Sequence, residues 1–105
     1  MHKFRVAASA LVLAGALVLR QEGPNAGRPW VDTLSGKLRY HNLKELRLPG
    51  TNLRVLFIFD PRRVAVLLLG GDKTGQWEKW YRKAIPQAET IYERHLAALK
   101  KEDKQ

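Results

Sequence analysis

At 105 residues the chain has room for one compact domain, and with 45% hydrophobic residues it is too apolar to be a disordered tail. It has no cysteine, which excludes a disulfide framework and a thiolate metal site, and its three histidines (His2, His41, His95) lie too far apart for ligand spacing. Nineteen Lys+Arg against ten Asp+Glu leave a net charge of +9, which favours polyanionic partners such as RNA, DNA, ribosomes or an anionic surface, although a charge kept for solubility reads the same way.

From the N-terminus, Val6 to Leu19 is an unbroken run of fourteen apolar residues behind His2, Lys3 and Arg5. It is too short for a comfortable membrane span. Two readings stay open on periodicity: a secretory signal peptide, or a buried Ala/Leu-rich helix ended by Gly23-Pro24. Glu22 to Pro29 is dense in Gly and Pro and reads as a loop, and Trp30 to Leu34 is a short semi-apolar stretch.

Leu43 to Leu48 is predicted as a strand, turning at Leu48-Pro49-Gly50-Thr51-Asn52 into a second strand of β-branched and aromatic residues, Leu53 to Phe59. Asp60-Pro61-Arg62-Arg63 has the form of a tight turn, with Pro in its favoured second position. Val64 to Leu69 reads as a continuous apolar strand covered on both faces, completing an antiparallel meander. Gly70 to Gly75 is a glycine-rich loop that lacks phosphate-loop spacing, so nucleotide binding is not expected. Gln76 to Ile85 is helical, and Pro86 is expected in the first turn of a further helix with an apolar stripe of Ala88, Ile91, Tyr92, His95, Leu96 and Leu99. On that stripe His95 reads as a packed or boundary residue rather than a ligand.

Charge concentrates in the middle of the chain: residues 37 to 63 carry seven basic residues against Glu45 and Asp60 alone. Alternate residues of a strand share a face, so Glu45 and Arg47 lie together, and Arg54 follows just across the turn. In one register Arg54 faces Arg47; slipped by one, Lys44 joins it instead. Either basic pair costs stability unless an anion joins it, whereas a structural arginine would point to solvent or pair with Glu45. The loop and helix add Lys73, Trp77, Trp80, Tyr81 and Arg82, and cations interleaved with aromatics suit single-stranded RNA. The spacing of Trp77, Trp80, Tyr81 and Ala84 also requires that some of them pack the helix on the sheet.

These segments resemble a known family. Lys44-Glu45-Leu46-Arg47, Leu53-Arg54-Val55-Leu56-Phe57, Asp60-Pro61-Arg62-Arg63, Gly70-Gly71-Asp72-Lys73 and Trp77-Glu78-Lys79-Trp80-Tyr81, with Arg28-Pro29 and Val31-Asp32 before them, are similar in order and spacing to the phage-derived branch of RelE/HigB toxins. The resemblance covers about residues 22 to 99. It implies an α+β domain: an antiparallel sheet of three or more strands, an N-terminal helix and C-terminal helices. Val6 to Leu19 then corresponds to the family's second helix, and a strand and helix that usually precede it are expected to be missing, leaving a single short toxin domain over residues 1 to 105.

The resemblance further implies a cytoplasmic mRNA interferase acting on ribosome-bound message and neutralised by a co-expressed antitoxin, expected to be of helix-turn-helix type. By that resemblance the catalytic positions fall on Arg47, Arg54, Lys73 and Tyr81. Lys44, Arg62, Arg63, Trp77 and Arg82 are expected to bind RNA, and His41 is a spare acid–base candidate. The expected reaction is attack of a ribose 2′-hydroxyl on the adjacent phosphate, with Arg47 and Arg54 neutralising the charge that develops. No cofactor, metal or membrane partner is expected; a chain lacking a covering layer is expected to self-associate as a homo-oligomer. Two alternatives stand beside this reading: a catalytically decayed remnant that binds nucleic acid or antitoxin, and an exported basic protein with residues 1 to 22 as its signal peptide.

Overall fold

The computed structural model describes residues 15, 19–75 and 77–103. Most of the apolar N-terminal run therefore lies outside the described residues, and with it the choice between signal and helix for that run. Gly15 and residues 19–22 are helical, and the chain leaves the helix through a short 3-10 turn at Gly23–Asn25. No helix among the described residues is long and apolar enough to cross a membrane.

Four strands follow: β1 (Val31–Thr33), β2 (Lys44–Arg47), β3 (Leu53–Phe59) and β4 (Ala65–Asp72). They form one antiparallel meander in sequence order, and a long helix, α1 (Trp77–Asp103), closes the chain. Both expected turns form. Gly50 takes φ +77°, a left-handed conformation that glycine adopts without steric cost, and the Thr51 hydroxyl donates to the Leu48 carbonyl at 2.7 Å. At the second turn the Asp60 carboxylate accepts the amides of Arg62 (2.9 Å) and Val64 (3.1 Å).

Alternation along β3 divides the interior into two cores. Leu56 and Ile58 face α1 and pack with Leu43, Leu68, Ala84, Ala88 and Tyr92. Phe57 faces the other way, with Leu46, Leu48, Val31, Leu19 and Ala26. The centre of β3 is thus covered on both sides, by α1 on one face and by the N-terminal segment on the other. The small side chains of Ala84 and Ala88, one helical turn apart, let α1 lie close to the sheet.

Three expectations need correction. Pro86 does not start a second helix; it sits inside α1, which runs unbroken from Trp77 to Asp103. Its ring is on the exposed side, so the carbonyl it frees faces water, while Ala84 and Ala88 hold both halves of the helix to the same core. β4 is not covered on both faces: it is the edge strand, Leu67 is exposed, and Leu68 is its one buried residue. Leu68 is also an extra residue in the β3–β4 ladder, which passes from Leu56↔Leu69 to Phe57↔Leu67. Finally, the strand continues through Gly70, Gly71 and Asp72, which looked like loop. The short stretch before β2 supplies the fourth strand, β1, which three residues of weak alternation did not reveal.

Candidate functional site

The β2–β3 ladder decides the register question. Arg47 stands opposite Arg54, and Lys44 stands opposite Phe57 on the other face, where its ammonium donates to Thr33 Oγ1 at 2.8 Å. The arginine pair faces α1, at the end of the sheet next to the Leu48–Asn52 turn.

Two adjacent guanidinium groups repel, and Glu45 offsets that repulsion. Its carboxylate is 3% exposed; Oε1 lies 3.4 Å from Arg47 Nε and 4.0 Å from Arg54 Nε. Arg54 is itself 7% exposed. One terminal nitrogen donates to the carbonyls of Leu53 (2.8 Å) and Thr51 (3.3 Å), while its Nε is buried with no hydrogen-bond partner. A charged donor left unpaired in the interior is costly, and an anion drawn in beside Glu45 would satisfy it.

Helix α1 brings Tyr81 over this group, and its hydroxyl donates to Glu45 Oε2. Burial, followed by the bond to the Glu45 carboxylate, pushes the Tyr81 phenol up to about 12. It is a hydrogen-bond donor at any physiological pH. Lys73 reaches in from the end of β4, and its backbone amide donates to the Asn52 carbonyl at 3.1 Å, fixing it to the β2–β3 turn. Its ammonium sits 5.7 Å from the Trp77 ring centroid and 5.8 Å from that of Tyr81. Burial, with the like charges of Arg54 and Arg47, lowers the Lys73 pKa below the usual lysine range, against the opposing pull of Glu45.

Arg47, Glu45, Lys73, Trp77, Tyr81 and Arg82 share one open groove of about 640 Å³, whose far wall is β1 and the residues after it, Asp32 to Ser35. Five expected residues therefore meet in this groove; Arg54 does not line it and lies buried beside Glu45. Three others do not. Lys44 projects from the opposite face. Arg62 and Arg63 belong to the β3–β4 turn at the other end of the sheet, where Arg62 pairs with Asp60 at 2.9 Å and Arg63 borders a different cavity with Leu19 and Leu67. His41 lies in the exposed turn before β2 and does not line the groove.

In the sequence Glu45 stood out only as an ion-pair partner for a structural arginine, not as a member of the site. Its place two residues before Arg47 on the same strand face was the available signal; burial beneath Tyr81 was not visible without the helix. Among the described residues no group of three His, Cys, Asp or Glu side chains could hold a metal ion. The groove can bind an anion at Arg47 and Lys73, with Arg54 buried behind the adjoining carboxylate of Glu45, and beside a phenol and an exposed indole.

The chain matches the family model described as phage-derived protein Gp49-like over residues 1–93. It is 50% identical over 91 residues to "Putative toxin HigB3" of Mycobacterium tuberculosis, an alignment covering 87% of this chain and 79% of that protein. It is 46% identical over 91 residues to "Putative toxin HigB2" of the same organism, covering 83% of this chain but 44% of that longer protein. No solved structure matches it. A match over most of the chain, with half of the aligned residues identical to a HigB-type relative, places this protein in the Gp49-like family of phage-derived proteins, with the HigB-type toxins.

Proposed function

We propose that this chain is the toxin of a toxin–antitoxin pair, a single-domain endoribonuclease that cuts translated messenger RNA in the cytoplasm and is held inactive by a cognate antitoxin of helix-turn-helix type. The observation that carries the reading is the Arg47–Arg54 pair, set beside a buried carboxylate, with Arg47 lining a groove that also holds Lys73 and Tyr81. The similarity to HigB-type toxins supports the toxin and antitoxin parts of the reading.

In this mechanism the scissile phosphate lies on Arg47 and Arg54, and the unpartnered Arg54 Nε donates to a phosphate oxygen. Glu45 takes the proton of the ribose 2′-hydroxyl as O2′ attacks phosphorus. The two arginines stabilise the extra negative charge of the phosphorane. The bond from phosphorus to O5′ breaks, and the leaving oxygen takes a proton from Lys73, whose lowered pKa makes it a better acid than an ordinary lysine. The products are a 2′,3′-cyclic phosphate and a free 5′-hydroxyl. Tyr81 stays protonated and orients Glu45 through its hydroxyl.

The test is induced expression without antitoxin, followed by mapping of the message ends. Growth arrest with cyclic-phosphate ends in translated messages is expected. Normal growth and intact messages, with the folded protein present, would leave a binding protein without catalysis as the better description.

A further inference from the structure

Beside the reaction groove the structure holds a second basic depression, of which the mechanism uses only Lys73. It is about 400 Å³, lies between the Asp72–Gly75 loop and the first turns of α1, and is lined by Lys73, Lys79, Lys83 and Trp80, with Asp72, Thr74 and Gly75 of the loop. Lys79 and Lys83 are one helical turn apart and point the same way. Neither is engaged in an ion pair among the described residues. The nearest carboxylate, Asp72, is turned into its own loop, accepting the amide of Thr74 at 2.8 Å and the Thr74 hydroxyl. Three lysines against the one carboxylate of Asp72 leave this concave surface with an excess of positive charge.

This depression is continuous with the reaction groove. Lys73 lines both. A smaller hollow, lined by Gly75, Trp77, Glu78, Lys79 and Arg82, bridges them around the rim. At that rim stands Trp77, 56% exposed, with the Lys73 ammonium over its ring. An indole left this open at the junction of two basic hollows gains little from the protein core. It is well placed to stack on a base while the lysines hold phosphates on either side.

We propose that the depression formed by Lys73, Lys79 and Lys83, with Trp77 as its stacking platform, is a second RNA subsite that holds the single-stranded flank of the message next to the cleaved step. This rests on the ribonuclease reading and adds to it a preference for single strands that continue past the reacting phosphate. An acidic protein segment would satisfy the lysines but would have no use for the exposed indole.

The test measures binding of two RNAs made uncleavable by a 2′-deoxy substitution at the scissile step. One covers that step alone; the other is extended on both sides. The full-length wild type should bind the extended RNA at least tenfold more tightly. In Lys79→Gln/Lys83→Gln most of that gain should vanish, and the slope of log affinity against log salt for the extended RNA should shrink by about 1.4, the value for two lost phosphate contacts on a single strand. Retention of the full gain by the double variant overturns the proposal. So does displacement of the extended RNA by poly-glutamate at equal charge concentration, which would make the surface an acidic-protein dock. A wild type that binds the short RNA but gains nothing from extension fails the subsite alone; one that binds neither RNA fails the ribonuclease reading.

Discussion

Arg54 stands directly across the β2–β3 ladder from Arg47, and the only acidic group within 4.0 Å of both among the described residues is the buried carboxylate of Glu45. One negative charge between two positive ones leaves the pair short of an anion. The deficit is local, since the partnerless Arg54 Nε points to the same place.

That deficit sets the expected behaviour of Arg54 variants. Arg54→Ala should lower RNA cleavage by about a hundredfold to a thousandfold, the usual loss for one transition-state electrostatic contact. Arg54→Lys should recover only part of it, because a point charge does not reproduce a planar fork. Cleavage rates on a defined message, with circular dichroism to confirm folding, check both. An Arg54→Ala protein that is folded and as active as wild type would remove Arg54 from the site.

Lys73 makes a separate, pH-dependent prediction. In the proposed mechanism its cation is the active form, and its pKa is lowered by burial and by the two arginines. Cleavage should therefore decline on the alkaline side as pH rises through that lowered value, earlier than an ordinary lysine would titrate. Lys73→Arg keeps a cation at all these pH values and should abolish the alkaline decline, at a lower maximal rate because arginine is a poor proton donor. Tyr81, with a pKa of about 12, cannot supply a decline below pH 10. If the decline survives in Lys73→Arg, another group is responsible.

The parts of this architecture that depend on local pattern were legible in the sequence. Strand β3 announced itself through Leu53 to Phe59, and the turns through Pro49-Gly50 and Asp60-Pro61. The Arg47–Arg54 pairing was one of two registers open to the pattern, and the two-sided burial of β3 selects it, since a slip by one residue would turn Leu56 and Phe57 each to the wrong core. What depended on packing between distant segments was not legible. Gly70-Gly71 reads as loop until Trp80 is placed against it. Pro86 reads as a helix start until the exposed side of α1 is known. Glu45 reads as an ion-pair partner for an exposed arginine until Tyr81 covers it.

Gly71 gives a direct test of that packing. It pairs with Arg54 across β3–β4, and a methyl group built on it would come within 2.9 Å of the Trp80 ring. Gly71→Ala should therefore push the indole away from the sheet and destabilise the protein by about 1–3 kcal/mol. Because Trp80 also borders the lysine depression, the variant should show altered tryptophan fluorescence in the folded state. Urea unfolding followed by fluorescence measures both effects. Unchanged stability and an unchanged spectrum would mean that the indole does not lie on Gly71.

The last prediction concerns Asp60, at the end of the sheet away from the groove. Its side chain is fully buried. His95 of α1 lies with Nε2 3.0 Å from Oδ2, and Arg62 donates to the same oxygen at 2.9 Å. The two backbone amides of the turn occupy Oδ1. Burial alone would raise the carboxyl pKa, but these donors outweigh it and hold Asp60 well below its ordinary value of 3.8. A carboxylate whose pKa is depressed by folding contributes stability that is fully present above the unfolded value and is lost as pH falls through the folded one. Asp60 thus fastens the β3–β4 turn to α1 at neutral pH and releases it in acid. Asp60→Asn keeps the shape but not the charge, and should cost about 2 kcal/mol at pH 7, less than a wholly buried ion pair because His95 and Arg62 are partly solvated. The gap between wild type and variant should narrow steadily below about pH 4, where the Asp60 carboxyl of the unfolded chain takes up a proton while that of the folded chain is still charged. Urea unfolding at a series of pH values measures it. A gap that stays the same at pH 3 and pH 7 would show that the charge of Asp60 is not what ties the turn to the helix.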